Sequence, residues 1–223
     1  MTPTLGRILF ASLFAILGGL LFWAFTVALL EGPPERLAVI AADAIPLSGV
    51  SNPVTSVLLN FRAYDTLLEM AVLLAALLGI WAAGPASPGF ERAGIVFASL
   101  TDWLVPLLIL AAGYLLWVGG HAPGGAFQAG ALLAAAGVVL RLSGQADAGL
   151  PRGVWLRALA VAGLAAFVLV GLGLLVIGQG FLTYPLAHAK WLILSIETAA
   201  TLAIGATLAA AYVGGRVGDE GSA

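Results

Sequence analysis

The sequence has 223 residues, of which 61% are hydrophobic and 9% are charged, and its formal net charge is −2. Soluble domains carry about 25% charged and about 45–50% apolar residues, so a single soluble core could not bury this much apolar surface. No basic run gives a reason to expect a nucleic-acid partner. The chain has no cysteine, which excludes disulfides, iron–sulfur ligation and thiol catalysis. The composition predicts an integral membrane protein.

Six apolar segments are candidates for crossing a bilayer, whose hydrocarbon core of about 30 Å takes roughly 20 helical residues. The first, Ile8 to Leu30, exceeds the ~7–15 apolar residues of a signal peptide, which favours a retained membrane anchor. Glycine, proline and charged residues separate the segments, as is typical of loops. The predicted fold is therefore an all-α polytopic membrane protein with six transmembrane helices, near residues 8–30, 64–83, 103–119, 124–141, 154–178 and 190–213.

The composition changes at the linker Gly84 to Gly89, which divides the chain into two modules. Residues 1–89 are predicted to form a two-helix module with a long outer loop, and residues 90–223 a four-helix module with short loops. In the long loop, Asn52-Pro53 has the pattern of a helix start, and the short apolar run after it predicts an interfacial helix. The third connection is so short that the third and fourth spans should form a tight antiparallel hairpin.

Positive charge predicts the orientation, because cytoplasmic loops of membrane proteins carry an excess of Lys and Arg. With six spans, one side of the membrane carries Arg7, Arg92, Arg141, Arg152, Arg157 and Arg216. The other side carries Arg36, Arg62 and Lys190. This bias predicts a multi-pass protein of a prokaryotic cell (inner) membrane with both termini in the cytoplasm.

A cluster of charged residues opens the second span, although an ionisable group costs about 2.5–3.5 kcal/mol to insert at a membrane centre. Arg62, Asp65 and Glu69 are spaced three and four residues apart, which places them on one stripe of a helix. Arg62 is expected to pair with Asp65 or with a neighbouring subunit, whereas Glu69 lies one to two turns deeper. These residues indicate an ion pathway, with anchoring of the helix at the membrane interface as the structural alternative.

Glu197 is the acidic residue of the last span. Thr201, Gly205 and Ala209 follow it at intervals of four residues, and a stripe of small residues lets helices approach closely. Glu197 is therefore expected at a helix–helix contact or a polar cavity, either as a proton relay or in a structural interhelical hydrogen bond. Lys190, two turns earlier, is expected to pair with Glu197 at times or to extend towards the membrane surface.

The hairpin after the third span contains further polar candidates. Histidine can exchange a proton near physiological pH, which makes His121 a candidate, although a lone loop histidine is more often only solvated. Gln128, a turn into the fourth span, is expected to form an interhelical hydrogen bond. His121 and His188 lack the spacing of metal ligands, so neither a metal nor another cofactor is expected. No Ser–His–Asp arrangement can be argued either, so an enzyme acting alone is not expected.

The segment His121-Ala-Pro-Gly-Gly-Ala-Phe-Gln-Ala-Gly130, followed by a helix of small apolar residues, resembles the hairpin of the B subunit of Mrp-type multisubunit sodium/proton antiporters. Phe181-Leu-Thr183 agrees with the same family, and this resemblance covers about residues 95–215. Two departures are Ala126 and Ala129, which stand where the family commonly has glycine.

A second resemblance involves Asn60-Phe-Arg-Ala-Tyr-Asp-Thr-Leu-Leu-Glu69. The segment is similar to an element that forms the C-terminal end of the antiporter A subunit, or a small separate subunit of membrane-bound hydrogenases. Asn60 replaces the acidic residue that is usual there. Together the resemblances imply a B subunit fused at its N-terminal side to this small module, with Asp65 and Glu69 at acidic positions of the translocation region.

The resemblance implies a subunit of a multisubunit sodium/proton antiporter, whose partners are the other subunits, the lipid bilayer, sodium ions and protons. In this hypothesis Glu69 is the principal site, Asp65 and Arg62 tune it, and Glu197 is a second polar station. One alternative is a subunit in the membrane arm of a redox-driven pump, such as a membrane-bound hydrogenase or another complex I-like machine. Another is a structural scaffold without an ion role.

Overall fold

The computed structural model describes residues 3–30, 37–84, 94–145 and 147–214, and all regular structure in these ranges is helical. Eight α-helices follow one another there, together with a short 3₁₀ turn at Ile45–Leu47 and a π-helical segment at Val57–Phe61. The α-helices are α1 (Pro3–Leu30), α2 (Leu37–Ala44), α3 (Pro53–Ser56), α4 (Ala63–Ala82), α5 (Ile95–Val118), α6 (Ala126–Leu142), α7 (Val154–Val176) and α8 (Leu186–Val213).

Five of these helices, α1, α4, α5, α7 and α8, are long and apolar enough to cross a membrane. The remaining predicted span corresponds to α6, an apolar helix of 17 residues. Each of the six predicted segments thus coincides with one helix, and the prediction of an all-α polytopic membrane protein is confirmed.

The chain consists of two compact units, Met1–Ala42 and Asp43–Ala223. In the first unit, α1 carries many exposed large apolar side chains, among them Phe14, Phe22 and Trp23. The predicted modules 1–89 and 90–223 divide the chain elsewhere and stay a prediction, because residues 85–89 of their linker lie outside the described residues. Arg36, Arg92 and Arg216 lie outside the described residues as well.

Helix α8 is the central helix of the second unit, since it contacts α4, α5, α6 and α7. Small residues permit this packing: a methyl group on Gly130 of α6 would lie 2.6 Å from the Ile204 Cβ, and one on Gly205 would lie 2.8 Å from the Leu133 Cβ. The stripe predicted on the last span is buried throughout, at Glu197, Thr201, Gly205 and Ala209. This close contact holds α6 against the middle of α8.

The chain enters α4 through an irregular segment. Asn52 caps α3 by accepting a hydrogen bond from the Val54 backbone N–H at 3.0 Å, and Pro53 is the first helical residue, which confirms the predicted helix start. The π-helical turn then ends at Arg62, whose φ of −127° and ψ of 34° break the helix before α4 begins. The Thr66 hydroxyl donates to the Leu58 carbonyl at 2.7 Å and so satisfies an oxygen near this break.

Three residues of this segment, Thr55, Ser56 and Leu59, are buried in the protein. Its position at the membrane interface stays a prediction. Its polar groups explain the burial. The Asn52 side-chain amide donates to the carbonyls of Gly119 at 2.6 Å and Ala122 at 2.8 Å, and the Thr55 hydroxyl donates to the Gly119 carbonyl at 2.6 Å. The segment therefore packs on the α5–α6 hairpin and satisfies carbonyls at the end of α5 that have no intrahelical partner.

Candidate functional site

The predicted hairpin between α5 and α6 is present and tightly closed. The Gly125 backbone N–H donates to the Leu115 carbonyl at 2.9 Å, which folds the loop back onto the end of α5. Gly125 has φ of 110° and ψ of −173°, a conformation that is essentially restricted to glycine. The glycines of the motif are thus explained by the sharp change of direction before α6.

The carboxylate of Glu197 lies at the N-terminus of α6. A methyl group on Gly125 would be 2.9 Å from Glu197 Oε1, and the Ala126 backbone N–H interacts with the same carboxylate. Free backbone N–H groups and the helix dipole make a helix N-terminus favourable for a negative charge. Glu197 itself is only 3% exposed, so this arrangement compensates a carboxylate that lies almost wholly inside the protein.

Glu197 lies well inside the helical bundle. It is 11 residues beyond Leu186, the first residue of α8, or about 17 Å along the axis at 1.5 Å per residue. Helix α6 begins at this level, because its first residue, Ala126, contacts the Glu197 carboxylate. Non-helical backbone at such a depth is tolerated where protein buries it or a cavity hydrates it, and the hairpin loop under Asn52 and Thr55 fits the first condition.

Two cavities meet at Glu197. The first, which we call the neck, has a volume of about 30 Å³ and is lined by Val50, Trp117, Gly120, His121, Lys190, Ile193, Leu194 and Glu197. The second, which we call the chamber, has a volume of about 250 Å³; its polar side chains besides Glu197 are Thr55, Thr66 and Gln128. Glu197 is the residue that lines both cavities. A proton or ion passing between them within this chain would therefore meet its carboxylate.

The chamber opens at the flank of the chain. Val54, Phe127 and Gln128 line it and are exposed, whereas Phe167 and Ala200 form its buried side. Gln128, expected to bridge two helices, forms no side-chain hydrogen bond with other described residues. It lies in the first turn of α6 on the side of the chamber and not on the face that packs against α8, which explains the difference.

The charged cluster at the start of α4 lies apart from both cavities. Arg62 and Asp65 form an ion pair across one helical turn, so of the two partners expected for Arg62 the structure shows Asp65. Glu69 is exposed one turn further along α4, beside the exposed Leu68 and Val72. The structure thus separates two groups of predicted site residues: Glu197, His121, Lys190 and Gln128 line the cavities, and Arg62, Asp65 and Glu69 share an outer surface of α4.

His121 and Lys190 are both exposed, and both reach the neck. The Lys190 ammonium lies 5.9 Å from the centre of the Trp191 ring, and among the described residues it forms no ion pair with Glu197. The Lys190 side chain therefore extends outward and does not pair with Glu197, which agrees with the second of the two alternatives predicted for it. His188 is exposed on the first turn of α8 and lines neither cavity.

Several polar contacts near this site were not predicted from the sequence. Asn60 donates to the Ser48 carbonyl at 3.0 Å, and with Asn52 and Thr55 it holds the irregular segment in place. Tyr184, between α7 and α8, is buried in an apolar cluster, and this burial raises the pKa of its hydroxyl. The cap pattern at Asn52 was the sequence signal available, but it did not reveal the hydrogen bonds across some 67 residues to Gly119.

A family model described as "Domain related to MnhB subunit of Na+/H+ antiporter" matches residues 96–217. This match covers α5 to α8, including the hairpin and Glu197. The chain belongs to this MnhB-related family. No curated protein matched the sequence.

Two solved structures are similar to the MnhB-related chain. A chain of the Mrp complex from Dietzia sp. DQ12-45-1b has a TM-score of 0.67 and 24% identity, with 97% of this chain and 26% of that chain covered. A chain of the membrane-bound sulfane sulfur reductase, an archaeal respiratory membrane complex, has a TM-score of 0.63 and 20% identity, with 92% and 99% covered. These likenesses establish the fold. The chain thus corresponds to about a quarter of the length of the Mrp chain.

Proposed function

We propose that this chain is a subunit of a multisubunit sodium/proton antiporter. The observation that supports this most is the match of α5 to α8 to the MnhB-related family, whose description names a Na+/H+ antiporter. The exposed apolar surfaces of the second unit and of α1 also fit a chain that is covered by lipid and by neighbouring subunits. The chain itself acts as a transporter subunit and not as an enzyme.

Within the antiporter, we assign Glu197 to the ion pathway. Its burial is expensive for a group that only fills space, and its contact with both the neck and the chamber supports a role in transfer. A carboxylate there can take up a proton from one cavity and release it to the other. The neutral and charged forms would both be tolerated, because the α6 N-terminus stabilises the anion.

Removing the chain tests the proposal. In everted membrane vesicles that contain the other subunits, sodium-dependent dissipation of a pH gradient should be lost without this chain and restored when it is supplied. The other subunits should also copurify with it after mild detergent extraction. Exchange that continues at the original rate in vesicles lacking the chain would contradict an antiporter role.

A respiratory membrane complex is the second candidate, because this chain matches 99% of one subunit of the sulfane sulfur reductase but only a quarter of the Mrp chain. In that case the chain would belong to the membrane arm of a redox-driven pump. The two candidates differ in the energy source. Sodium movement that depends on an electron donor, in vesicles held without a preformed gradient, would favour the respiratory complex.

The acidic face of α4 is proposed as a second ion station that a neighbouring subunit completes. A carboxylate facing lipid costs about 2.5–3.5 kcal/mol near the membrane centre, so a hydrogen-bond donor or cation of another subunit is expected opposite Glu69. Asp65 and Arg62, already paired with each other, would set its local charge.

Glu69→Gln should abolish exchange and leave the complex assembled, since an amide keeps a hydrogen-bond acceptor for the neighbouring donor. Leu68→Ala, an exposed neighbour on the same helix, is the matched control and should exchange ions normally. The measurement is sodium-dependent dissipation of a pH gradient together with the subunit composition of the purified complex. Normal exchange by Glu69→Gln would show that this face of α4 has no ion role and only anchors the helix at the membrane interface.

The proposal also includes the orientation of the chain in the membrane. We place the chain in a prokaryotic cell membrane with both termini in the cytoplasm, as the bias of basic residues favours. The chain contains no cysteine, so a single cysteine introduced near either terminus would report this sidedness through its reactivity with an impermeant thiol reagent.

Residues 1–89 and 90–223 are proposed as two fused modules.

A further inference from the structure

A third cavity lies beyond the neck, on the side away from the chamber. This cavity, which we call the vestibule, has a volume of about 290 Å³ and is lined by Ile45, Pro46, Gly49, Val50, Ser51, Gly120, His121 and Lys190. Val50, Gly120, His121 and Lys190 line both the vestibule and the neck. The three cavities therefore form a series, with the neck between the vestibule and Glu197 and the chamber behind Glu197.

The size of the neck limits what can pass through it. It is the smallest of the three cavities, and its volume of about 30 Å³ has room for only a few water molecules. A hydrated metal ion is larger and would have to lose most of its water here. Apart from Glu197, His121 and Lys190, the side chains that line the neck are apolar or absent, so few oxygen ligands could replace that water.

The titratable groups at the neck are better suited to a proton than to a metal cation. The titratable side chains that line the vestibule and the neck are His121 from the hairpin and Lys190 and Glu197 from α8. The exposed Lys190 ammonium has no lone pair, so it cannot serve as a ligand that replaces the water of a sodium ion. A proton moves differently, because it hops between hydrogen-bonded groups and needs neither space nor ligands for a hydrated ion.

His121 is suited to pass such a proton. It lines both the vestibule and the neck and is exposed, and an imidazole ring can accept a proton on one nitrogen and release one from the other. In the transfer, an imidazolium N–H gives its proton to a water in the neck, and that water gives one to the Glu197 carboxylate. The imidazole becomes neutral, the carboxylate becomes a carboxylic acid, and the next proton arrives from the vestibule.

We propose that the vestibule, His121, the neck and Glu197 form a proton-selective half-channel, which delivers protons to the chamber at the flank of the chain, while sodium takes a different route. This inference rests on the proposed function and adds the identity of the ion and the group that admits it. The exposed rim of the chamber at Val54, Phe127 and Gln128 places the exit at the surface of the chain.

The two histidines of the chain provide a matched test. In everted vesicles with the complete complex, His121→Gln should lower the maximal exchange rate by about tenfold or more, because a positioned proton donor contributes roughly a hundredfold or more to proton transfer. The apparent KM for sodium should not change, the pH dependence of the rate should flatten, and added imidazole should restore part of the rate. His188→Gln, in the first turn of α8 and outside the cavities, should behave as the unsubstituted chain.

The outcomes separate this inference from the proposed function. If exchange does not need the chain at all, the proposed function fails. If exchange needs the chain but His121→Gln matches His188→Gln, only the half-channel is wrong. A raised KM for sodium with an unchanged maximal rate would show that the path carries sodium, and this would also overturn the inference.

A second measurement covers the case in which His121→Gln prevents assembly. Ser51 lines the vestibule, and Ser195 is exposed on α8 outside all three cavities. With Ser51→Cys in the complete complex, a bulky thiol reagent should block exchange, whereas labelling of Ser195→Cys should not. Unchanged exchange after complete labelling of Ser51→Cys would contradict a path through the vestibule.

Discussion

Glu197→Gln is expected to reduce sodium-dependent proton exchange to the level of vesicles without the chain, while the complex still assembles. The physical reason is that a glutamine has nearly the same shape as glutamate and keeps an oxygen that can accept from the Ala126 N–H. Its side chain still fits against Gly125, so the packing of α6 on α8 remains. Only the capacity to carry a charge and exchange a proton is removed.

The measurement is the rate of sodium-dependent dissipation of a pH gradient in everted vesicles, with the subunit stoichiometry of the solubilised complex recorded in parallel. Ser195→Ala is the matched control, because Ser195 is exposed two residues away. Among the described residues its hydroxyl bonds only to the Leu192 carbonyl of its own helix, at 2.7 Å. Glu197→Asp keeps the charge but withdraws it from the α6 N-terminus, so an intermediate rate is expected.

Two results would contradict this prediction. Exchange by Glu197→Gln at the rate of the Ser195→Ala control would show that the carboxylate serves only to cap α6. Alternatively, the variant could lose exchange because the complex falls apart, which would show that the negative charge at the α6 N-terminus is needed for structure. The stoichiometry measurement distinguishes these two results from loss of transport in an intact complex.

The number and position of the helices could be predicted because the bilayer imposes a simple requirement. An apolar run of about 20 residues has few alternatives to a spanning helix, since every backbone polar group in hydrocarbon must be satisfied within the segment. The hairpin at Gly119 to Gly125 and the cap at Asn52 could be predicted as well, because both are local patterns of glycine, proline and asparagine.

The path from Asn52 to α4 could not be predicted, because it depends on long-range hydrogen bonds. A run such as Val54 to Phe61 gives no sign that Gly119 and Ala122 will offer carbonyls to Asn52 and Thr55. The same holds for the π-helical turn and for the break at Arg62. Both are consistent with a segment held at each end by tertiary contacts, which can override the local preference for a continuous helix.

The two intramembrane glutamates show the limit of pattern-based prediction for the site. Helical spacing indicates which residues share a face but not which neighbour covers that face. Glu197 was expected at a helix contact because small residues follow it, and it is buried. Glu69 was expected to be the principal site, yet it lies on the exposed surface of α4, where the sequence of one chain contains no information about a partner.

Gly125→Ala is expected to displace the Glu197 carboxylate and to destabilise the hairpin. An alanine at φ of 110° and ψ of −173° costs about 1–3 kcal/mol in backbone strain alone. In addition, its methyl group would lie 2.9 Å from Glu197 Oε1, so the carboxylate must move away from the α6 N-terminus. We expect a lower temperature of complex dissociation and a loss of exchange comparable to that of Glu197→Gln.

Gly113→Ala is the matched control for this substitution. Gly113 lies inside α5 with no atom within 4 Å of an added methyl group, and alanine is favoured over glycine in a helix by up to about 1 kcal/mol. It should leave the dissociation temperature unchanged or raise it. Equal dissociation temperatures for Gly125→Ala and Gly113→Ala would contradict the geometry of the hairpin.

Combining Gly125→Ala with Glu197→Ala separates the backbone strain at residue 125 from the collision between the new methyl group and the Glu197 carboxylate. Substitutions of residues in direct contact have effects on stability that do not add, and here the direction of the deviation from additivity can be predicted. Removal of the carboxylate eliminates the collision with the new methyl group but leaves the backbone strain. Gly125→Ala should therefore lower the dissociation temperature less in the Glu197→Ala background than in the unsubstituted chain, and the difference measures how closely the carboxylate is held against the α6 N-terminus.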